Sequence, residues 1–309
     1  MKILFMGTPD FAVPCLEALT ASNHEICGVV TQPDKPKGRG HKLQPPPVKE
    51  CAFAHNIPVF QPTTLKDGAF TDIAAQLAPD IIIVVAYGKI LPKDLLELPP
   101  FGCVNVHASL LPKYRGAGPI QWSVINGEKE TGITTMYMGE GLDTGDMLLK
   151  RATQILPEET ASELHDRLAV IGAELLLETL TELENGTAVR IPQNDEESTY
   201  APMISKQTGR IDWTNPAQEI VNLIRGCNSW PIAHTMYHGE PLKIIRAVIG
   251  ERTDKPSGTL LGVQQGKLAV AAGDGYSVLV SEVQFAGSKR MSVESYLNGH
   301  TIDMNQILE

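Results

Sequence analysis

A chain of 309 residues with 42% hydrophobic and 20% charged side chains has enough length for two domains with separate cores and too much apolar content for disorder. The longest central apolar run, residues 81–86, falls far short of a bilayer span, and the four residues after Lys2 are too few for a signal-peptide core, so a cytoplasmic protein without a membrane partner is expected. The net charge of −10 argues against a polyanion as a general partner, but all of that excess lies in residues 1–205, with 16 basic against 26 acidic side chains; residues 206–309 carry 10 of each. Within the acidic part, residues 34–49 run the other way, with Lys35, Lys37, Arg39, Lys42 and Lys49, so a polyanion can still be met locally. Five cysteines (Cys15, Cys27, Cys51, Cys103, Cys227), scattered without Cys-x-x-Cys spacing, argue for reduced thiols and against a zinc site or disulfide framework.

Residues 2–7, Lys-Ile-Leu-Phe-Met-Gly, read as a buried parallel strand closed by glycine. Asp10 stands where it can cap a helix carrying Phe11, Leu16 and Leu19, with Pro14 in the first turn. A second strand over 25–31 completes the strand–turn–helix–strand opening of a doubly wound α/β sheet. Gly7-Thr-Pro-Asp-Phe lacks the second and third glycines of a dinucleotide fingerprint, which argues against NAD or FAD. No regular period survives in the Pro-, Gly- and Lys-rich residues 32–48; they read either as a solvated loop or as an arm that closes on phosphates. A helix over 48–55, a strand over 57–60, a helix over 67–77 and a strand over 80–87 follow. Tyr87 and Gly88 end that strand where open α/β sheets bind ligands.

After a short helix over 91–98, Val104 and Val106 alternate with Cys103, Asn105 and His107, which puts Asn105 and His107 on one face of a strand. An amide and an imidazole leaving a strand end together suit polarising a carbonyl and shuttling a proton, although a polar strand face without chemistry accounts for them as well. Ser109 and Pro112 turn the chain. A helix through Trp122 and Ile125, a strand over 133–138 and a glycine-rich loop over 139–145 come next; taken alone, Asp143 in that loop is a turn aspartate. A strand over 147–155 precedes Thr160-Ala-Ser-Glu163, a capping-box pattern opening an amphipathic helix of Leu164, Leu168, Ile171, Leu175 and Leu183. Residues 199–210 read as a linker. Beyond a helix over 216–227, four or five short segments between 234 and 285, separated by glycine turns, suggest a small OB-like barrel. His234 and His238 lack a third ligand, so no metal is assigned.

At Asn105-x-His107-x-Ser109-Leu110-Leu111-Pro112, followed by Gly141-Leu-Asp143-Thr-Gly-Asp146, the sequence resembles the folate-dependent formyltransferases. Met6-Gly-Thr-Pro-Asp-Phe11, the basic insertion after Asp34 and the C-terminal extension narrow the resemblance, which runs over the whole chain, to members that act on aminoacylated tRNA. It implies a Rossmann-like, doubly wound, mostly parallel sheet in residues 1–205 and an OB-like β-barrel in residues 206–309 that helps bind tRNA. The implied reaction moves the formyl group of 10-formyltetrahydrofolate to the α-amine of methionine on initiator tRNA, in a monomer and without metal. Asn105, His107 and Asp143 match the catalytic trio, and Ser109, Leu110, Leu111 and Pro112 the folate-binding turn, to which the sheet rule adds Tyr87 and Gly88. Lys35, Lys37, Arg39 and Lys42 match the loop that enters the acceptor stem. Ser229 departs from the family, which has proline at that place in Asn228-Ser-Trp-Pro231.

An amine attacking a formamide-like carbonyl makes a tetrahedral intermediate that needs oxyanion donors and a proton route from the incoming to the departing nitrogen. The Asn105 amide and a ring N–H of His107 are the candidate donors, and Asp143 either orients the imidazole or holds a relay water. A formyltransferase for a small amine, a 10-formyltetrahydrofolate hydrolase and a catalytically silent RNA-binding module are the rival readings; the basic insertion, the second domain and the intact trio weigh against them.

Overall fold

The computed structural model describes residues 1–37 and 42–309. In chain order the first part runs β1 (Lys2–Gly7), α1 (Val13–Thr20), β2 (Glu25–Val30), β3 (Lys35–Lys37), β4 (Lys42–Gln44), α2 (Pro47–Ala54), β5 (Val59–Phe60), α3 (Ala69–Leu77), β6 (Ile81–Val85), α4 (Lys93–Leu96) and β7 (Cys103–His107). Then come α5 (Pro119–Ile125), β8 (Glu130–Tyr137), β9 (Met147–Gln154), α6 (Ala161–Asn185), α7 (Ala217–Gly226), β10 (Ala233–Tyr237), β11 (Glu240–Arg252), β12 (Leu260–Gln264), β13 (Lys267–Ala271), β14 (Tyr276–Gln284), β15 (Met291–Ser292) and α8 (Val293–Leu297). Two units result: Met1–Ala117 with Thr131–Thr153 and His165–Ala201, and Gly118–Glu130 with Gln154–Leu164 and Pro202–Glu309.

Among the described residues of the first unit, seven strands form one sheet in the order β5-β2-β1-β6-β7-β8-β9. The pairings from β5 to β7 are parallel, and β8 runs antiparallel to β7. Successive residues of the central strands are buried on both faces, as their unbroken apolar runs require. One face carries Leu4, Met6, Val30, Ile82, Val84 and Cys103 against Phe70 and Ala74 of α3 and Leu95 of α4. On the other, Gly172 of α6 approaches so closely that a Cβ there meets Val106, Ile133 and Cys15. Asp10 does not cap α1. It opens a 3-10 turn over Asp10–Ala12, and its carboxylate accepts from Phe11 N at 3.1 Å. The N-cap of α1 is Ala12, which has no side-chain acceptor, and Pro14 stands in the first turn, where its missing N–H costs no helical bond.

Of residues 32–48, the described ones, 32–37 and 42–48, include regular structure that their composition does not suggest. β3 pairs antiparallel with β4, Lys35 opposite Gln44 and Lys37 opposite Lys42. Lys35, Pro36, Leu43 and Gln44 are all exposed, so neither face leaves a hydrophobic period to read. The ribbon is tied at its base: Lys49 Nζ donates to both Asp34 oxygens at 2.8 and 2.9 Å, and Gln61 Nε2 donates to Asp34 Oδ1 at 2.8 Å and to Gln32 O at 2.9 Å. These side-chain bonds, Lys49 first, hold the Asp34 carboxyl below the usual carboxylate range.

In the second unit the antiparallel order is β10-β11-β14-β13-β12, with β15 added to β14, which is the small β domain expected. Irregular register along β11 supplies the bends by which a sheet curls around a core. That core includes Trp213, Ile220, Ile224, Leu242, Val270, Val280 and Phe285. Two segments that a division at residue 205 leaves in the first domain, Gly118–Glu130 and Gln154–Leu164, belong to this unit. α7 is the reason: its glycine end, Gly226, lies so near α5 that a Cβ there meets Ile125 at 2.4 Å.

The capping box forms as the spacing predicts. Thr160 N donates to Glu163 Oε2 at 2.8 Å and Glu163 N to Thr160 Oγ1 at 3.3 Å, while Arg246 holds Glu163 Oε1 at 2.5 Å. The Thr160 backbone bond is the main cause of a Glu163 carboxyl pushed down to about 2. Glu163→Ala is expected to cost about 1 kcal/mol of unfolding free energy, less than the shift alone implies because the side chain is half in solvent. A carboxyl depressed from 4.5 to about 2 stabilises above the upper value and stops doing so as pH falls through that window. Urea midpoints of variant and wild type therefore differ near neutrality and converge in acid.

Candidate active site

β1, β6 and β7 bring Gly7, Val85 and His107 to the same edge of the sheet. From β1 the chain winds outward through β2 to β5, then returns beside β1 as β6, so the crevice between β1 and β6 is the switch point of the topology. Tyr87 and Gly88 lie there. Their carbonyls accept from Gln32 Nε2 at 3.0 and 3.3 Å, and Thr8 Oγ1 also reaches Tyr87 O at 3.3 Å. The Tyr87 ring turns the other way, into the core with Leu4, Met6 and Val30, at 1% exposure. Its hydroxyl has no hydrogen-bond partner among the described residues, and burial pushes its pKa up to about 12.

Asn105 and His107 continue the face of β7 that begins with Cys103, and β8 sets Met136 opposite Asn105 and Thr134 opposite His107. His107 is buried, and its Nε2 lies 2.9 Å from Tyr114 O. A carbonyl only accepts, so Nε2 carries the hydrogen and Nδ1 is the nitrogen left for chemistry. Nδ1 faces Asp143 Oδ2 at 3.7 Å, too long for a hydrogen bond but within ion-pair distance of a protonated ring. The same Oδ2 accepts from Gly116 N at 2.8 Å. Asp143 adopts a left-handed backbone (φ 52°), which aspartate tolerates better than most residues. The Asn105 carboxamide is half-buried and makes no hydrogen bond among the described residues, so both its N–H groups are available to a ligand. The fold thus brings together all three members of the expected trio.

The turn after β7 is closed on itself. Ser109 Oγ donates to Lys113 O at 2.6 Å, Thr134 Oγ1 donates to Ser109 O at 2.7 Å, and Leu111 N donates back to Thr134 Oγ1 at 3.2 Å. Ser109 and Leu111 are buried, Leu111 against Met136 and Met147, whereas Leu110 and Pro112 are half-exposed; the Leu111–Pro112 peptide is cis. The Ser109 hydroxyl is thus taken up by protein, while the Leu110 and Pro112 side chains are accessible. Lys150 Nζ donates to Leu111 O at 2.5 Å, and partial burial of that ammonium lowers its pKa from the usual lysine value. Lys150 was not singled out from the sequence, where it is one basic residue on an alternating strand.

Lys35 is exposed at the start of the ribbon, Lys37 and Lys42 face each other in register where β3 and β4 meet residues 38–41, and Arg39 lies outside the described residues. In the second unit Arg246 and Arg290 are engaged by Glu163 and Glu282. The donor atoms of Glu17, Cys51 and His55 come within 4.8 Å of one another, a grouping invisible in the cysteine spacing and separate from the trio.

A family model described as formyl transferase matches residues 1–180, and one described as formyl transferase, C-terminal domain, matches residues 203–301. The chain belongs to the formyl transferase family. Relatives of full length bear a more particular name. A methionyl-tRNA formyltransferase from Alkaliphilus oremlandii is 56% identical over all of this chain and 99% of its own, and one from Clostridioides difficile is 52% identical over the whole of both. Two solved structures share the fold. An N-formyltransferase from Helicobacter canadensis, in complex with folinic acid and dTDP-3-aminofucose, has a TM-score of 0.69 at 22% identity over 91% of this chain and 98% of its own. HypX from Aquifex aeolicus, in complex with tetrahydrofolic acid, has a TM-score of 0.64 at 17% identity over 97% of this chain and 47% of its own.

Tyr87→Phe removes a buried hydroxyl that bonds to none of the described residues. It is expected to raise the unfolding free energy by about 1 kcal/mol and to leave the KM for the folate donor unchanged, because the ring faces the core. Denaturant unfolding and donor-saturation kinetics on the same variant check both parts.

Proposed function

We propose that the chain transfers the formyl group of 10-formyltetrahydrofolate to the free α-amine of methionyl initiator tRNA, giving N-formylmethionyl-tRNA for translation initiation, with Asn105, His107 and Asp143 as the reacting groups. The observation that carries the site assignment is the pairing of an unengaged, half-buried Asn105 carboxamide with a His107 whose Nδ1 faces the Asp143 carboxylate at 3.7 Å. Family membership and the names of the full-length relatives support the reaction and its tRNA substrate. Five free cysteines agree with a reducing cytoplasm, and no helix among the described residues is long and apolar enough to cross a membrane.

In the neutral ring, the Nε2 hydrogen is engaged by Tyr114 O and Nδ1 presents a lone pair. As the amine attacks the formyl carbon, Nδ1 takes a proton from the incoming nitrogen. The resulting imidazolium has its new N–H beside the Asp143 carboxylate, which offsets its charge, and returns the proton to the departing N10. Asn105 donates an amide N–H to the oxygen that becomes negative. One ring N–H is thus taken up in fixing the imidazole, and His107 acts as an oxyanion donor only after it has gained a proton.

Label placed on the formyl group of the donor is expected on charged initiator tRNA. Label on a small amine or in free formate would instead identify one of the other formyl-transfer reactions. In single-turnover experiments Asn105→Ala should cut the rate by roughly 10²–10³ and His107→Ala at least as much, with circular dichroism unchanged. Near wild-type turnover by His107→Ala would refute the site.

The exposed ribbon is assigned to the tRNA acceptor arm, with Lys35, Lys37, Arg39 and Lys42 contacting phosphates. Lys35→Ala and Arg39→Ala should each weaken tRNA binding and reduce the slope of log affinity against log salt by about 1, leaving the folate KM alone. Asp34→Asn, which unties the ribbon's base, should raise the tRNA KM in the same selective way. A change confined to the folate KM would mean that the ribbon belongs to the donor site.

A further inference from the structure

Asp143 holds a strained backbone in a loop of little hydrophobic content, so something outside that loop must keep its carboxylate beside His107. Two groups on the chain meet that need. Gly116 N grips the carboxylate itself, and Gln193 grips the backbone: its Nε2 donates to Asp143 O and to Gly145 O, each at 2.8 Å, using both amide hydrogens. Its orientation is unambiguous, because a flipped amide would set Oε1 against two carbonyl oxygens. Oε1 in turn accepts from Arg115 Nε at 3.0 Å, and the far end of the same guanidinium reaches Asp195 at 2.7 Å. The Arg115 side chain is only 11% exposed. Backbone bonds secure both segments to each other, Arg115 N to Thr199 O at 2.9 Å and Ala201 N to Arg115 O at 2.7 Å. Gly145 allows no other residue at the grip, since a Cβ there would lie 1.8 Å from Tyr137 O.

We infer that Gln193, held by Arg115, is a positioning residue that sets the Asp143 carboxylate against His107 Nδ1 through the backbone of the 143–145 loop. Neither side chain has to touch a substrate for this, and the inference rests on the proposed role of Asp143. Releasing the loop leaves the substrate contacts in place and misplaces a charge by a fraction of the loop's width, which is the kind of displacement that costs roughly 10²-fold in turnover. Gln193 is half-buried in a run of exposed residues, so its loss removes little of the core.

The test is a double-mutant cycle on the full chain, read by single-turnover formylation and by the KM of each substrate. Gln193→Ala is expected to lower the rate by about 10–10²-fold with both KM values and the thermal midpoint unchanged. Gln193→Glu keeps the length and the Arg115 contact but replaces the two donors with an acceptor, and should be no better than alanine. In an Asp143→Asn background, Gln193→Ala should cost nothing further, because the charge it positions is already gone. Equal losses in the two backgrounds, full activity of Gln193→Ala, or a rise in KM alone would overturn the inference. If Asp143→Asn by itself keeps wild-type turnover, the role of Asp143 falls, and the clamp has nothing to position.

Discussion

The antiparallel register of β7 on β8 sets Asn105 opposite Met136 and His107 opposite Thr134, and nearly everything at the candidate site follows from it. Because side chains alternate along a strand, a slip of one residue would turn both polar groups onto the face that packs against α6 and replace them with Val104 and Val106. The register is held from both sides. Ile82, Ile83 and Val84 pair with Cys103, Val104 and Asn105 in parallel, and Thr134 closes the following turn through Ser109 O and Leu111 N. The apolar half of the strand buys its place in the core, and the polar half is carried past the edge of that core.

The polar groups near this edge divide into those with protein partners and those left open. Ser109, Thr134, Gln32 and Gln193 all have protein partners, and the Tyr87 ring is buried. Among the described residues, Asn105 and the Nδ1 side of His107 are left without a hydrogen-bond partner on the face where the strands end. A buried polar group with no partner is costly unless a ligand or water supplies one, so an unengaged amide beside an oriented imidazole marks where binding free energy is gained. The ribbon follows a similar division, with Asp34 paired to Lys49 and hydrogen-bonded by Gln61 at its base while Lys35 stays exposed.

Periodicity made much of the fold legible. The unbroken apolar run of β6, the alternation in β7 and β8, the heptad-like leucines and capping box of α6 and the glycine-separated strands β10 to β14 were readable to within about three residues, because burial repeats with the backbone. The ribbon was not, since both its faces are exposed. Nor was the role of residues 199–201, which read as linker and instead bond to residues 114 and 115. Gln193 left no signal at all: its partners at 115, 143 and 145 are far from it in the chain, and a single glutamine in an acidic stretch has no pattern to match.

What the sequence determined by itself is the α/β class, the second β domain, and the placing of Asn105 and His107 on one strand face with a glycine-flanked aspartate to follow. Those features are local, set by a period of two and by the conformations glycine and aspartate accept. Only the tertiary structure decided which nitrogen of His107 is left open, where the Asp143 carboxylate lies, that Tyr87 looks inward, and that Gln193 reaches the loop. Each of those outcomes depends on a carbonyl or amide delivered by a distant segment, and hydrogen-bond partners brought together by packing leave no trace in hydrophobic spacing.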